Sequence, residues 1–307
     1  MKPKPCFLAI DTSAYTTSIA LVSEGKVIAD KRIMLNVPKG SRGLRQSEAV
    51  FAHIKNAKQL FLDFEHSRIS AVGYSAKPCE RADSYMPVFC VGESLAVSIA
   101  STMGVKAIPL THQHGHIYSA FVTGKIKDET YCAFHVSGGT LDLLKVEIEG
   151  KITSIEKIGG TLDITCGQLI DRVGVAAGLT FPSGKQMESM YVSNDESFAV
   201  NVDGLYTNLS GAETQSLQAL SGGRDIASVC SGVIDCVAET LSQLIRNADM
   251  DKYIFTGGVM CNNVIREAVN KTCTDITAEC IMTDKMYCSD NACGVALGTQ
   301  IIYNKGE

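Results

Sequence analysis

Three of the six histidines in this chain fall within five positions, at His112, His114 and His116. On a helix, His112 and His116 stack on one face a turn apart, and His114 points elsewhere. Two imidazoles so placed can bind one metal ion. Thr111 is suited to cap the helix start, with the apolar run 117–122 burying the other side. A plain helix entry with surface histidines is the alternative; three imidazoles in five residues favour the metal site. A metalloprotease motif would put Glu directly after the first His as general base. Gln113 stands there instead, which argues against that chemistry.

The 307 residues suffice for two domains of ordinary size, and 45% hydrophobic with 20% charged residues marks a soluble globular chain. A net charge of -5 argues against gripping nucleic acid over the whole surface, though not against a local basic patch. Lys39, Arg42 and Arg45 lie in the run KGSRGLR, with Lys31 and Arg32 close in sequence. A solvated loop is the simpler reading of that run; a basic flap beside a phosphate-bearing substrate is the functional one. The twelve cysteines show no CxxC spacing. Cys90, Cys132, Cys230 and Cys236 sit in apolar runs, as small fillers do in a reducing cytoplasm. The opening residues do not read as a signal peptide, and no apolar run approaches the ~20 residues of a membrane helix. The expectation is a cytoplasmic protein with no membrane association.

The elements that must hold these residues follow from periodicity. Residues 6–10, 17–22 and 26–34 read as strands joined by polar turns, followed by a helix over 47–64, a strand over 69–75 and a helix over 93–103. A short strand at 107–108 leads into the histidines. The opening pattern then recurs. Strands at 131–136, 141–148 and 152–158 surround the turn Ser137-Gly138-Gly139. Such turns offer backbone N–H groups that can ring phosphate oxygens. A helix over 164–177 carries Asp171, and a loop at 181–185 holds Gly184. A long helix over 224–247 precedes a strand at 253–255, then Gly257-Gly258 and Asn262 at the start of another helix. Backbone approach to a base or phosphate is easy there. A strand over 276–282 and a final helix to 303 complete the chain. This order is that of the α/β actin-like ATPase (ASKHA) fold: two related lobes with a nucleotide cleft between them. The expected division is residues 1–108 for the first lobe, completed by a C-terminal helix 295–307, and 109–294 for the second.

The ordered segments AIDTS, GES to HQHGH, VSGG, GGTLDITCGQLIDRVG, FPSG, LSG, TGGVMCNN and CSDNA carry a closer likeness. Nearly end to end, the chain resembles the TsaD family, once called the glycoprotease family, which makes threonylcarbamoyladenosine next to the tRNA anticodon. The resemblance implies His112, His116 and Asp290 as ligands of one divalent ion, iron or zinc. It implies contacts to an adenine nucleotide or threonylcarbamoyl-adenylate from Ser137, Gly138, Gly139, Asp171, Gly184, Gly258 and Asn262. Asp171 suits a ribose diol, since a carboxylate accepts two hydrogen bonds. The implied reaction is attack of the tRNA adenine amine on the threonylcarbamoyl carbonyl, releasing AMP. The implied partners are tRNA and either a TsaB-like protein or a second copy of the chain.

Several positions depart from the family pattern. Tyr15 and Thr16 replace an acidic pair suited to proton handling, so no catalytic residue is assigned. Thr140, Leu141 and Asp142 follow the VSGG turn where His or Asn, Thr and Gln are usual. Ile164 replaces an Asp, Gln168 a Glu, and Glu213 reverses the charge of a Lys. One expectation is an active transferase. The other is a TsaD-like paralogue that binds nucleotide and metal without the tRNA reaction, as a partner or regulator or on a different carbamoyl or acyl substrate. No nucleophile–base pair supports a protease.

Overall fold

Strands that are buried along their whole length are covered on both faces, and the first two strands of the chain are of this kind. A computed structural model describes residues 4–13, 15–37, 44–62, 68–193 and 195–306. β1 (Cys6–Asp11) and β2 (Thr16–Ser23) are buried throughout. β3 (Lys26–Met34) follows a two-residue turn and is half exposed. Helix α1 (Gln46–Leu62), strand β4 (Ile69–Lys77), helix α2 (Phe89–Met103) and strand β5 (Lys106–Thr111) finish the first unit. The sheet order is β3-β2-β1-β4-β5. The hairpin strands are antiparallel, and β1, β4 and β5 run parallel.

Helix α3 (His112–Ser119) starts where β5 ends and carries the histidines. The second unit then repeats the first. β6 (Thr130–Val136), β7 (Leu141–Ile148) and β8 (Ile152–Thr161) form its antiparallel part. Helices α4 (Cys166–Ala176) and α5 (Gly184–Ser189) follow. Next come the short strands β9 (Val202–Asp203) and β10 (Tyr206–Thr207), and helices α6 (Ser210–Ser221) and α7 (Ile226–Ala248). β11 (Lys252–Thr256), α8 (Asn263–Asp275) and β12 (Glu279–Met282) complete the sheet, and α9 (Lys285–Cys288) and α10 (Cys293–Asn304) close the chain. The second sheet runs β12-β11-β6-β7-β8-β10-β9. With β6, β7, β8, β11 and β12 standing for the first five strands, order and direction match the first sheet.

The repeat puts the carboxyl ends of β1 and β6 at corresponding places in the two units, and ligands of open α/β sheets gather at such strand ends. Helix α10 packs back across β1, β2 and β4, and α3 lies between α10 and the strands β4, β5, β6 and β11. One apolar cluster, led by Val229, Val233, Val237 and Leu241 of α7, fills the second unit, and Leu8, Ile10, Ile19 and Val72 lead another in the first. α7 is 23 residues long and by length and composition could cross a membrane, yet most of its apolar stretch is buried in this core. Its apolar character is explained by packing.

Local differences from the sequence expectations have physical causes. The helix expected at 93–103 begins at Phe89. The helix expected at 164 begins at Cys166, because Thr165 and Gln168 form a reciprocal capping box there. The strand expected at 276–282 starts only at Glu279, since Ile276 ends α8 and Thr277 turns left-handed with φ 62°. Helices α5 and α6 and strands β9 and β10 gave no periodic signal; α6 buries only Ala212 and Ser216. Of the basic run, Lys39 and Arg42 lie outside the described residues. Arg32 is no part of a free flap. It pairs with Asp30 at 2.5 Å and donates to the Met286 carbonyl at 2.7 Å and to Ser289 Oγ at 3.1 Å.

Candidate metal centre

Thr111 ends β5 and caps α3, its hydroxyl accepting from the His114 N–H at 3.0 Å. The cap fixes the helix start, so His112 and His116 project from one face. Their Nε2 atoms lie 3.0 Å apart. Asp290 Oδ1 lies 3.5 Å from His112 Nε2 and 3.4 Å from His116 Nε2. One donor atom from each of the three residues falls within 4.8 Å of the others. His114 leaves this face, packing its ring on Tyr118 and contacting Thr111 and Glu80.

Asp290 meets α3 because α3 and α10 cross almost backbone to backbone. A Cβ built on Gly294 would lie 1.8 Å from the Gly115 carbonyl oxygen. Only glycine permits that approach. Asn291 then shapes the loop, donating to the Tyr287 and Ser289 carbonyls and accepting from the Cys293 N–H. Arg32 reaches the same loop from β3.

Behind the ligands stands Asp11, a residue whose role the sequence did not disclose. Its Oδ2 accepts from His112 Nδ1 at 2.9 Å and from Ser75 Oγ at 2.5 Å, and its Oδ1 accepts from the Ser13 N–H at 2.8 Å. A carboxylate bonded to Nδ1 leaves Nε2 facing outward as the ligand atom. The one signal available was a carboxylate ending a fully apolar strand. Thr256 Oγ1, at the end of β11, lies 3.4 Å from His116 Nδ1.

The charges agree with this arrangement. Burial pushes the His112 imidazolium down, but Asp11 and then Asp290 outweigh it, and its pKa is pushed up to about 10. Burial and the neighbouring His112 hold His116 below its ordinary value, so His116 is the neutral donor. Burial raises Asp290, yet the two imidazoles hold it far below the carboxylate range. Asp11 is likewise held below its ordinary value, burial being outweighed by His112, Ser13 and Ser75. Two nitrogens aimed at each other beside a carboxylate need a proton or a cation between them. Two imidazoles and a carboxylate, with positions left open, suit one divalent ion.

The residues expected to meet a nucleotide fall into three places. Ser137, Gly138 and Gly139 form the turn between β6 and β7; Ser137 Oγ accepts from the N–H groups of Gly139 and Thr140 at 3.3 and 3.1 Å. Thr165 Oγ1 donates to the Gly138 carbonyl at 2.9 Å, which seats the turn on the start of α4. Gly258 follows Gly257, whose φ of 102° and place against the Val136 carbonyl bring the end of β11 to the end of β6. Asp171 belongs with Gly184. Its Oδ1 accepts from the Ser183 N–H at 2.7 Å, and burial raises its pKa against that bond. Asn262 caps α8, its Oδ1 accepting from the Ile265 N–H at 3.1 Å. Among the described residues, apart from the chain neighbours, no atom lies within 4 Å of a Cβ added at Gly138, Gly139 or Gly258.

Each departure from the family pattern has a local partner here. Tyr15 sets its ring edge-on to Phe181 at 6.0 Å, and Thr16 is buried at the start of β2. Gln168 completes the α4 cap. Glu213 pairs with Arg172 at 3.0 Å, Asp142 pairs with Lys157 at 2.5 Å, and Leu141 and Ile164 join the core.

Comparison with solved structures defines the class. Over 99% of its length the chain matches full-length HypF in its phosphate- and nucleotide-bound form, with TM-score 0.59 and 14% identity, covering 56% of that chain. It matches an activator of 2-hydroxyisocaproyl-CoA dehydratase from Clostridium difficile with bound ADPNP equally well, at TM-score 0.59 and 16% identity, over 99% of this chain and 97% of the other. The fold is that of the actin-like ATPases, with two related lobes.

Within that class the chain belongs to the TsaD family: residues 63–297 match the family described as tRNA N6-adenosine threonylcarbamoyltransferase. A relative from Thermosipho africanus with that name is 23% identical over 97% of this chain and 94% of its own length. Another from Pyrobaculum calidifontis is 26% identical over 97% and 88%. A probable bifunctional tRNA threonylcarbamoyladenosine biosynthesis protein from Thermoplasma volcanium is 25% identical over 97% of this chain; the chain spans 56% of that relative's length.

Proposed function

We propose that this chain transfers a threonylcarbamoyl group from threonylcarbamoyl-adenylate to N6 of the adenosine beside the tRNA anticodon. The observation that carries the proposal is the convergence of His112, His116 and Asp290 on one point, in a chain of this family. An iron or zinc ion held there supplies Lewis acidity toward a carbamoyl carbonyl oxygen. Asp11 orients His112, and the buried Thr256 hydroxyl sets the back of His116. The Ser137–Gly139 turn and Gly258 leave backbone open for the adenylate, beside Gly184 and Asn262. Asp171 keeps one carboxylate oxygen for a ribose hydroxyl, the other being held by Ser183. In the transfer, the adenine nitrogen forms a bond to the carbonyl carbon, the bond from that carbon to the AMP oxygen breaks, and the amine gives up a proton.

The expected division into lobes 1–108 and 109–294, with 295–307 returning to the first, is part of this proposal, its bounds moved to keep β5 (Lys106–Thr111) and α10 (Cys293–Asn304) whole; the packing of α10 on β1, β2 and β4 supports it. The tRNA is the macromolecular substrate, and the setting is the cytoplasm. A TsaB-like protein or a second copy of the chain is the protein partner, for which Phe51, Ile54 and Leu62, exposed on α1, supply an apolar face. One observation favours the alternative of a paralogue that binds nucleotide and metal without this transfer: Tyr15 packs on Phe181 and Thr16 is buried where the family carries acids. Purified protein mixed with threonylcarbamoyl-adenylate and unmodified tRNA, with and without a TsaB-type partner, separates the two. Modified adenosine detected by mass spectrometry, and lost in His112→Ala, supports the transferase. No product from protein that binds both ion and nucleotide supports the paralogue.

A further inference from the structure

Two thiols meet beside the loop that carries Asp290. Cys261 ends the single turn Gly258–Cys261 after β11, and Cys288 ends α9, two residues before Asp290. The turn and α9 pack together, and the two thiols are within hydrogen-bonding reach of each other. Cys261 Sγ lies 3.6 Å from the Lys285 carbonyl oxygen, a turn earlier on α9, and Cys288 Sγ lies 3.2 Å from that of Thr283. Arg266 fastens both walls. Its guanidinium donates to the Met260 and Thr283 carbonyls at 3.0 and 3.1 Å and lies 3.8 Å from Cys288 Sγ. Cys288 is buried, and Cys261 is half-buried.

A thiol that serves only as filler sits in apolar surroundings and keeps its proton. Cys132 is of that kind, burial pushing it up to about 12. Cys261 differs. The Cys288 thiol, with the charges of Arg266 and Lys285, outweighs burial and brings it down to about 7. Near neutral pH much of it is therefore thiolate, the form that reacts. A reactive, reachable thiol with a second thiol against it is the arrangement of a reversible redox site.

We propose that Cys261 and Cys288 form a peroxide-responsive dithiol, with Cys261 the attacking thiol and Cys288 the resolving one. The Cys261 sulfur attacks one oxygen of hydrogen peroxide, the O–O bond breaks, and the leaving hydroxide takes up the thiol proton as water. Cys261 is then a sulfenic acid. The Cys288 sulfur attacks it, an S–S bond forms, the S–O bond breaks, and hydroxide leaves with the Cys288 proton as a second water. Two thiols are oxidised to one disulfide, and one peroxide is reduced to two waters. The sulfurs close to about 2.05 Å, which draws the loop before Asp290 toward the turn before Asn262. Metal donors tolerate displacements of only about 0.2 Å, so the cross-link weakens ion binding at His112, His116 and Asp290. That consequence rests on the metal assignment above; the dithiol itself does not.

The test treats the ion-free full chain with hydrogen peroxide in stoichiometric steps and maps the products by mass spectrometry of unreduced peptides, beside Cys261→Ser and Cys288→Ser. Circular dichroism identifies a variant that fails to fold; half-buried Cys261 carries the test if Cys288→Ser does. The expected result is a Cys261–Cys288 cross-link formed before Cys90, the exposed thiol, is oxidised. It is reversed by dithiothreitol and absent from both variants, and Cys288→Ser accumulates sulfenic acid at Cys261, trapped by dimedone. Zn2+ affinity, measured against a competing chelator, falls about tenfold in the cross-linked parent and does not change when Cys261→Ser is treated with peroxide. Oxidation of Cys90 first, or a cross-link between Cys273 and Cys280 instead, would overturn the dithiol. Cross-linked protein with the affinity of the reduced protein would overturn its reach to the metal loop. If His112→Ala binds Zn2+ as the parent does, the metal assignment fails while the dithiol stands.

Discussion

The crossing of α3 and α10 sets the distance between the histidines and Asp290, and Gly294 is where it can be tested. In Gly294→Ala the new methyl would sit 1.8 Å from the Gly115 carbonyl oxygen and 2.6 Å from Ser119 Oγ. Carbon–oxygen contacts relax at about 3.3 Å, so the helices must separate by about 1.5 Å. The obstructing oxygen is backbone and cannot rotate away. Overpacking of this kind costs about 3 kcal/mol, the upper end of its usual range, which for a chain of this length lowers Tm by about 5 °C. Metal donors tolerate displacements of only about 0.2 Å, so ion affinity falls at least tenfold. Gly115→Ala is the control. Its methyl meets the Val295 side chain at 2.9 Å and the Val295 backbone nitrogen only at 3.8 Å, so a shift of a few tenths of an ångström at one side chain relieves it. Alanine also gains about 1 kcal/mol over glycine inside a helix, so this variant stays near the parent. Melting and competitive ion titration of both variants decide the matter. A Gly294→Ala protein with the parent's Tm and ion affinity would refute the crossing as the device that sets the site.

Other perturbations follow from the same geometry. In ion-free protein the His112–Asp11 pair contributes stability fully present below pH 6.5, the ordinary imidazole value, and lost as pH rises through about 10. Asp11→Asn removes that slope, which melting across pH 6 to 10.5 (roughly the titration range of this pair) measures. Asp163 accepts from the N–H groups of Ile164, Leu209 and Ser210. Burial raises its pKa but these bonds bring it down to about 2, so its contribution is present above 3.8 and fades as pH falls through about 2. Acid melts of Asp163→Asn lack that fade and start from a lower Tm. Arg32→Ala frees the loop around Ser289, and ion affinity falls by a few-fold with little change in Tm, since the pair with Asp30 is only partly buried.

The strands of both sheets other than β9 and β10 were legible from their apolar content and the polar turns between them, and the histidine helix because Thr111 and the i, i+4 spacing declare it. His112 and Asp290 lie 178 positions apart, and it was the ordered motifs that put them in one expected ligand set. What the sequence hid are roles that only three dimensions create. Asp11 is 101 residues from His112, and nothing in AIDTS says which side chain it will meet. The glycine crossing was invisible for the same reason, because Gly115 and Gly294 look like ordinary helix glycines until the helices touch. The short α5 and α6 lack the amphipathic repeat that marks a helix in sequence.

The most direct measurement of the central claim is the position of a bound ion. Crystals of the protein grown with Fe2+ or Zn2+ and measured at the metal's absorption edge give an anomalous difference map. The predicted result is one strong peak about 2.0–2.2 Å from His112 Nε2, His116 Nε2 and an oxygen of Asp290. A peak elsewhere, or none at the crossing of α3 and the loop before α10 in protein loaded with the ion, would contradict it.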